Sequence, residues 1–247
     1  MSEYTYLRPT DPMPTWTTLL AVLAVTLGSA LQAAIGFGVN LFVVPILAFI
    51  DPVFVPVPVL FVSFLVSVAA SYRLRRAIEW RVLGTSAGGL VLGTVLAAAL
   101  LTAISARVLP RLLGGLVVLA VVTSVVGVSV PLTRRSILAA GCISGIMGTI
   151  AGLHGPPMAL LYQREPGPRV RAALLPFLVV ATGISLVVLA GIGAIDRTHA
   201  QATLILLPGV AGVWAGPLLS RLFDAGRLRA AILLISGASG LVLLIRG

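Results

Sequence analysis

Two short stretches of this 247-residue chain carry residue types that can do chemistry inside otherwise apolar sequence. The later one, Gly141–Gln163, reads GCISGIMGTIAGLHGPPMALLYQ. Its apolar run breaks at Leu153-His154-Gly155 and restarts at Pro156-Pro157. The earlier one, Leu27–Leu47, reads LGSALQAAIGFGVNLFVVPIL and breaks at Gly36-Phe37-Gly38. In each, a glycine stands ten residues ahead of a break glycine: Gly28 before Gly38, and Gly145 before Gly155. Gln32 and Asn40 flank the first break. Ser144, Thr149 and His154 precede or occupy the second. The chemistry such a set offers is hydrogen-bond donation to an anion. A helix that restarts there presents unpaired N–H groups and the positive end of its dipole. Asn40 and His154 can add side-chain N–H groups, and His154 can also carry a proton near neutrality. Pro156 and Pro157 suit a first helical turn but bring no N–H, so backbone donors there must come from Gly155 and from Met158 onward. The candidate substrate site is Gln32, Gly36, Gly38, Asn40, Thr149, Gly152, His154, Gly155, Pro156 and Met158, with His154 the candidate for proton coupling. Gly141, Gly145 and Gly148 are read as packing glycines.

Other chemistries find little support. Ser144 lies in Gly141-Cys142-Ile143-Ser144-Gly145, which lacks the spacing of a nucleophile elbow. No catalytic residue and no enzyme activity are expected, and an intramembrane serine enzyme is the weakest alternative. With the single Cys142 and two histidines, His154 and His199, no metal site is expected. A P-loop is absent, so ATP hydrolysis is not built in. No cofactor is called for. Asp51, Asp196 and Asp224 fall in linkers, so no carboxylate proton relay is expected in the spans.

The frame around the two breaks is a membrane protein. The chain is 59% apolar and 10% charged, with a mean hydropathy of +1.12, and long uncharged runs of this kind span bilayers. Apolar segments run over 15–35 plus 41–50, 53–72, 82–103, 108–130, 137–153 plus 156–162, 172–195, 199–220 and 228–245. They are continuously apolar rather than alternating, which favours helices over barrel strands. The expected fold is an all-α polytopic membrane protein. It has eight hydrophobic helical segments in two homologous halves, inverted repeats that each open with a broken or re-entrant segment. Residues 1–14 form an N-terminal tail without the positive start of a signal peptide. Residues 15–130 form the first repeat and 131–247 the second, together one membrane domain. Paired interrupted segments in two halves point to the substrate site of a secondary transporter.

On these residues the chain resembles the sulfite exporter TauE/SafE family, whose two homologous halves each open with a Gly-rich segment followed by a proline. The matching residues are Gly36-Phe37-Gly38 through Pro45, then Gly145, Gly148, Gly152, Gly155 and Pro156. Phe37 and His154 interrupt the family's usual glycine triplet. The resemblance implies movement of small sulfur-containing anions, such as sulfite, sulfoacetate or organosulfonates, usually outward across the cytoplasmic membrane. The expected function is therefore secondary transport, in the export direction, of a small sulfur-containing or organic oxyanion held at paired half-helix N-termini near mid-membrane. The alternatives are an anion channel or a partner subunit. Expected partners are the anion and the lipid bilayer; a homo-oligomer is allowed.

The basic residues decide between two ways of threading the membrane. All 17 are arginines. They sit in short linkers, so they read as topology signals rather than as a nucleic-acid surface. If all eight segments cross, the arginines divide 9 to 8 between the two sides. If the first and fifth segments are re-entrant, 12 fall on one side: Arg73, Arg75, Arg76, Arg81, Arg134, Arg135, Arg164, Arg169, Arg171, Arg221, Arg227 and Arg229. Arg8, Arg107, Arg111, Arg197 and Arg246 fall on the other. Only the second arrangement obeys the positive-inside rule. It predicts both termini outside the cytoplasm, so a C-terminal reporter that fluoresces only in the cytoplasm should stay dark; a bright reporter rejects it.

Overall fold

The computed structural model describes residues 15–36, 39–72, 74–104, 108–126, 130–222 and 225–246. The first half runs α1 (Thr15–Ile35), α2 (Val39–Ile50), α3 (Val57–Tyr72), α4 (Trp80–Ala103) and α5 (Leu109–Val126). The second runs α6 (Arg134–Ala151), α7 (Gly155–Leu161), α8 (Gly167–Gly191), α9 (Arg197–Leu206), α10 (Gly216–Leu222) and α11 (Ala225–Arg246). A 3-10 stretch, Leu207–Ala215, joins α9 to α10, and short 3-10 turns precede α3 and α4. No strand occurs among the described residues. Helices suit this sequence because they satisfy their own backbone groups where hydrocarbon offers no partner.

Among the described residues five stretches are long and apolar enough to cross a membrane: α1, α4, α5, α8 and the composite Arg197–Ser220. Asn40–Ile50, Val57–Tyr72 and Ala230–Ile245 are apolar but shorter. Leu19, Leu20, Leu23 and Leu27 of α1 and Leu92, Val95 and Leu96 of α4 face outward. Such broad apolar exposure suits lipid contact.

Both breaks fall where the sequence places them, between α1 and α2 and between α6 and α7. The composite span differs from the single segment expected over 199–220. Pro208 supplies no N–H inside it, and an added Cβ on Gly209 or Gly212 would collide with Val25 or Thr26 of α1. The tight 3-10 stretch thus lies directly on the α1 backbone.

Packing exchanges elements between the halves. The opening helix α1 lies on the 3-10 stretch and α10, whereas α6, which opens the second half, lies on α4. The remaining major contacts pair α3 with α8 and α5 with α11. Small residues make these approaches close. Gly89 and Gly93 of α4 meet backbone of Leu138 and Cys142, and Gly141 and Gly145 of α6 meet backbone of Ser86 and Leu90. The packing reading holds for Gly141 and Gly145; Gly148 instead makes room for the ring of His154. At the arginine-rich end the halves are tied by Glu79, which pairs with Arg169 Nε at 2.9 Å and accepts from the Tyr162 hydroxyl at 3.2 Å.

A Cβ at position 145 would stand 2.6 Å from the Leu90 carbonyl oxygen, whereas one at position 84 meets nothing within 4 Å. Overpacking of this kind costs about 1–3 kcal/mol, while an open helical glycine gains up to about 1 kcal/mol on becoming alanine. Gly145→Ala should therefore lower the melting temperature in detergent, and Gly84→Ala should hold or raise it. Equal melting temperatures would contradict the glycine contact.

Candidate functional site

The first break opens at the last turn of α1. Gln32 is buried and donates from Nε2 to Ser67 Oγ of α3 at 2.6 Å. Gly36 has φ +99°, a conformation other residues rarely adopt. Its missing side chain leaves room for Arg171, whose Cγ would stand 2.9 Å from an added Cβ. Arg171 lies about one turn into α8 and donates from a guanidinium N–H to the Ala34 carbonyl at 3.0 Å. Gly38 lies outside the described residues. Asn40, in the first turn of α2, donates from Nδ2 to the Gly152 carbonyl at 2.7 Å, and this bond joins the two breaks.

At the second break Gly152 closes α6 in the left-handed region, φ +71°, with its N–H on the Gly148 carbonyl at 2.7 Å. His154 is fully buried. Its ring lies over Gly148, and its Nε2 is 2.9 Å from Ser185 Oγ of α8. Thr149 shares the same hydroxyl at 2.8 Å. Gln32–Ser67 and Thr149–Ser185 are thus matching ties, each from the end of an opening helix to the third membrane helix of its own half, spanning 35 and 36 residues.

Gln32, Asn40, Ser63, Gly152, Gly155 and Pro156 line one small cavity beside Leu178, the middle of α8. Its volume of about 10 Å³ is room for roughly one water. A second cavity of the same size lies across Gln32 and Asn40 and is lined by Ser29 as well as Ser63. The Ser29 and Ser63 hydroxyls are buried without a hydrogen-bond partner. The residues brought together are therefore Gln32, Asn40, Gly152, Gly155 and Pro156. Thr149 and His154 form the adjoining cluster with Ser185. Met158 turns the other way, buried near Tyr162 and Phe177.

Four relevant side chains were not singled out from sequence: Ser63, Ser67, Ser185 and Arg171. The three serines are polar residues inside apolar runs, a signal that was available. Arg171 was counted only as a topology charge. The serines add neutral hydroxyls to the Gln32 and Asn40 amides in an apolar interior, and Arg171 adds a guanidinium at the end of α1. His154 bonds Ser185, while Ser144 Oγ is buried without a partner, so the histidine does not activate Ser144. Among the described residues no three His, Cys, Asp or Glu side chains gather to hold a metal ion.

Gly152 and Gly193 share nearly the same φ, +71° and +72°. A Cβ at 152 would stand 3.4 Å from Asn40 Nδ2 and 3.3 Å from Val59, whereas one at 193 meets nothing within 4 Å. Backbone strain costs about 1–3 kcal/mol in either case. Gly152→Ala should lower the melting temperature further than Gly193→Ala, and equal losses would mean that the contact between the breaks does not depend on this close approach.

No curated protein and no solved structure matches the chain. The family model for the sulfite exporter TauE/SafE matches residues 20–243, which takes in both breaks and nearly every helix, and the chain therefore belongs to the sulfite exporter TauE/SafE family.

Proposed function

We propose that this membrane transporter is a secondary exporter of a small sulfur-containing or organic oxyanion, of the sulfite, sulfoacetate or organosulfonate type, working in the cytoplasmic membrane. Family membership makes it a multi-pass transporter rather than an enzyme. The finer reading rests on one observation: two interrupted helices from opposite halves meet at Asn40 and Gly152, beside a cavity of neutral donors level with the middle of α8. The anion would bind there, at the starts of α2 and α7, helped by Gln32, Asn40 and Ser63.

The inverted arrangement has two supports. Packing exchanges α1 and α6 onto the third segment of the other half, and pairs α3 with α8 and α5 with α11, as a pseudo-twofold relation between halves would. The Glu79–Arg169 ion pair joins the linker after α3 to the first turn of α8, at the end of the linker before it. Eight full crossings would put those linkers on opposite sides of the bilayer. Re-entrant first and fifth segments put them on the same side, which leaves eight hydrophobic segments as two inverted repeats. His154 is the titratable group at the breaks and is proposed to couple proton movement to transport.

Counterflow in proteoliposomes loaded with sulfite, sulfoacetate, taurine or sulfate tests this reading. Saturable exchange of one anion is expected. Ser63→Ala is the informative variant, because that hydroxyl has no protein partner to lose. A lost hydrogen bond to a charged group is worth about 1.5–3 kcal/mol, so exchange should half-saturate at roughly 10–100 times higher anion concentration, with unchanged melting temperature. Asn40→Ala should lose exchange and some stability together. His154→Ala should flatten the dependence of exchange on pH. A folded protein that exchanges none of these anions removes the substrate class, and an unchanged pH profile in His154→Ala removes the coupling role.

A further inference from the structure

A vestibule of about 260 Å³ lies at the arginine-rich end, against the first break. It is far larger than the two cavities inside, and approaches the roughly 300 Å³ at which small-molecule pockets begin. Tyr72, Leu74, Arg171, Val213, Trp214 and Ser220 are among its walls, contributed by α3 and the turn after it, α8, the 3-10 stretch and α10. Most of the lining is apolar, and Arg171 is its charged group.

Arg171 is built in rather than loosely attached. Its stem fills the space left by Gly36, and one N–H holds the Ala34 carbonyl. Among the described residues Glu79 and Glu165 both pair with Arg169. Among the described residues no ion pair to Arg171 forms, although a guanidinium carries five N–H donors in a planar fork. An arginine held by one backbone carbonyl, half-buried and facing an apolar chamber, keeps most of its donors for something else. Arg75, stacked 4.7 Å over the Tyr72 ring, adds positive charge at the outer edge.

We propose that Arg171 is an anion-binding residue and that the vestibule is a second substrate site, which takes a sulfonate or sulfite group on the guanidinium before it reaches the breaks. Oxyanions with planar or tetrahedral oxygens fit an arginine fork through two parallel hydrogen bonds. The apolar wall would accept the carbon portion of an organosulfonate. The order of the two sites, vestibule then breaks, rests on the export reading; binding at Arg171 does not.

Trp214 lines the chamber and reports on it directly. The chain has three tryptophans, so Trp16→Phe with Trp80→Phe leaves Trp214 alone. Titration of that protein in detergent with sulfoacetate should give a saturable fluorescence change, and the uncharged dimethyl sulfone should give none. Arg171→Gln, which keeps an amide N–H but no charge, should raise half-saturation at least about tenfold. Arg171→Lys, which keeps charge but not the fork, should raise it less and covers the case in which the glutamine variant fails to fold. Titrations of folded Arg171 variants that superimpose on the parent, flat or saturating alike, overturn the proposal, and counterflow that persists beside them leaves the transport reading standing. A saturable, Arg171-dependent titration without counterflow keeps the vestibule site and removes sulfoacetate as transported substrate.

Discussion

A helix that stops inside a membrane leaves carbonyls that neither lipid nor the next turn can satisfy, and each costs several kcal/mol if left bare. On the proposed reading, in which both breaks lie within the membrane, the chain meets this constraint by exchange. When α6 ends, the Gly152 carbonyl is taken by Asn40 from the first half. At the end of α1, the Ala34 carbonyl is taken by Arg171 from the second half. Neither half completes its own break. Each supplies a donor to the other, so the two breaks are tied across the halves.

Docking to that tolerance sets the demands on the rest of the fold. Asn40 and Arg171 are useful donors only if α2 and α8 lie within hydrogen-bond reach of the opposing helix ends. Glycines set those distances. Gly141 and Gly145 bring α6 onto α4, and Gly209 and Gly212 bring the 3-10 stretch onto α1. Within each half a hydroxyl bond, Gln32–Ser67 or Thr149–Ser185, then pins the end of the opening helix. Small residues govern the approach of backbones, and polar side chains govern register along it. Without close backbones the cross-half bonds would stretch beyond use.

How much of this could be read from residues alone depends on whether the signal is local. The breaks were legible because glycine and proline interrupt long apolar runs, and Gly36 and Gly152 do adopt the conformations that favour glycine. Helix ends fell close to the apolar limits for the same reason. Tertiary partners were not legible. Nothing local in Ser67 or Ser185 names Gln32 or Thr149 as its partner. The ring of His154 turns to Ser185 and the side chain of Met158 packs near Tyr162 and Phe177, orientations no spacing argument reaches. Arg171 was hidden by its company, since it sits among linker arginines whose shared meaning is topology. The 3-10 stretch was hidden because its tightness answers to the α1 backbone rather than to its own hydropathy.

The size of the inner cavity constrains how an anion could use it. About 10 Å³ accommodates one water, so the described state is closed around the breaks. On the proposed reading, an anion placed there must move the walls, and the bond most directly in its way is Asn40 to Gly152. The anion and the Gly152 carbonyl are then alternative acceptors for one amide donor. Binding and loosening of the second break become a single event, because filling the site withdraws the group that satisfies the helix end. A ligand shifts a conformational equilibrium only by its differential affinity for the two states, and this competition supplies that difference at the atom where the halves meet. Neutral donors suit such a role better than a buried charge. They bind an anion enough to compete with a carbonyl, and they leave no uncompensated ion in hydrocarbon when the anion departs.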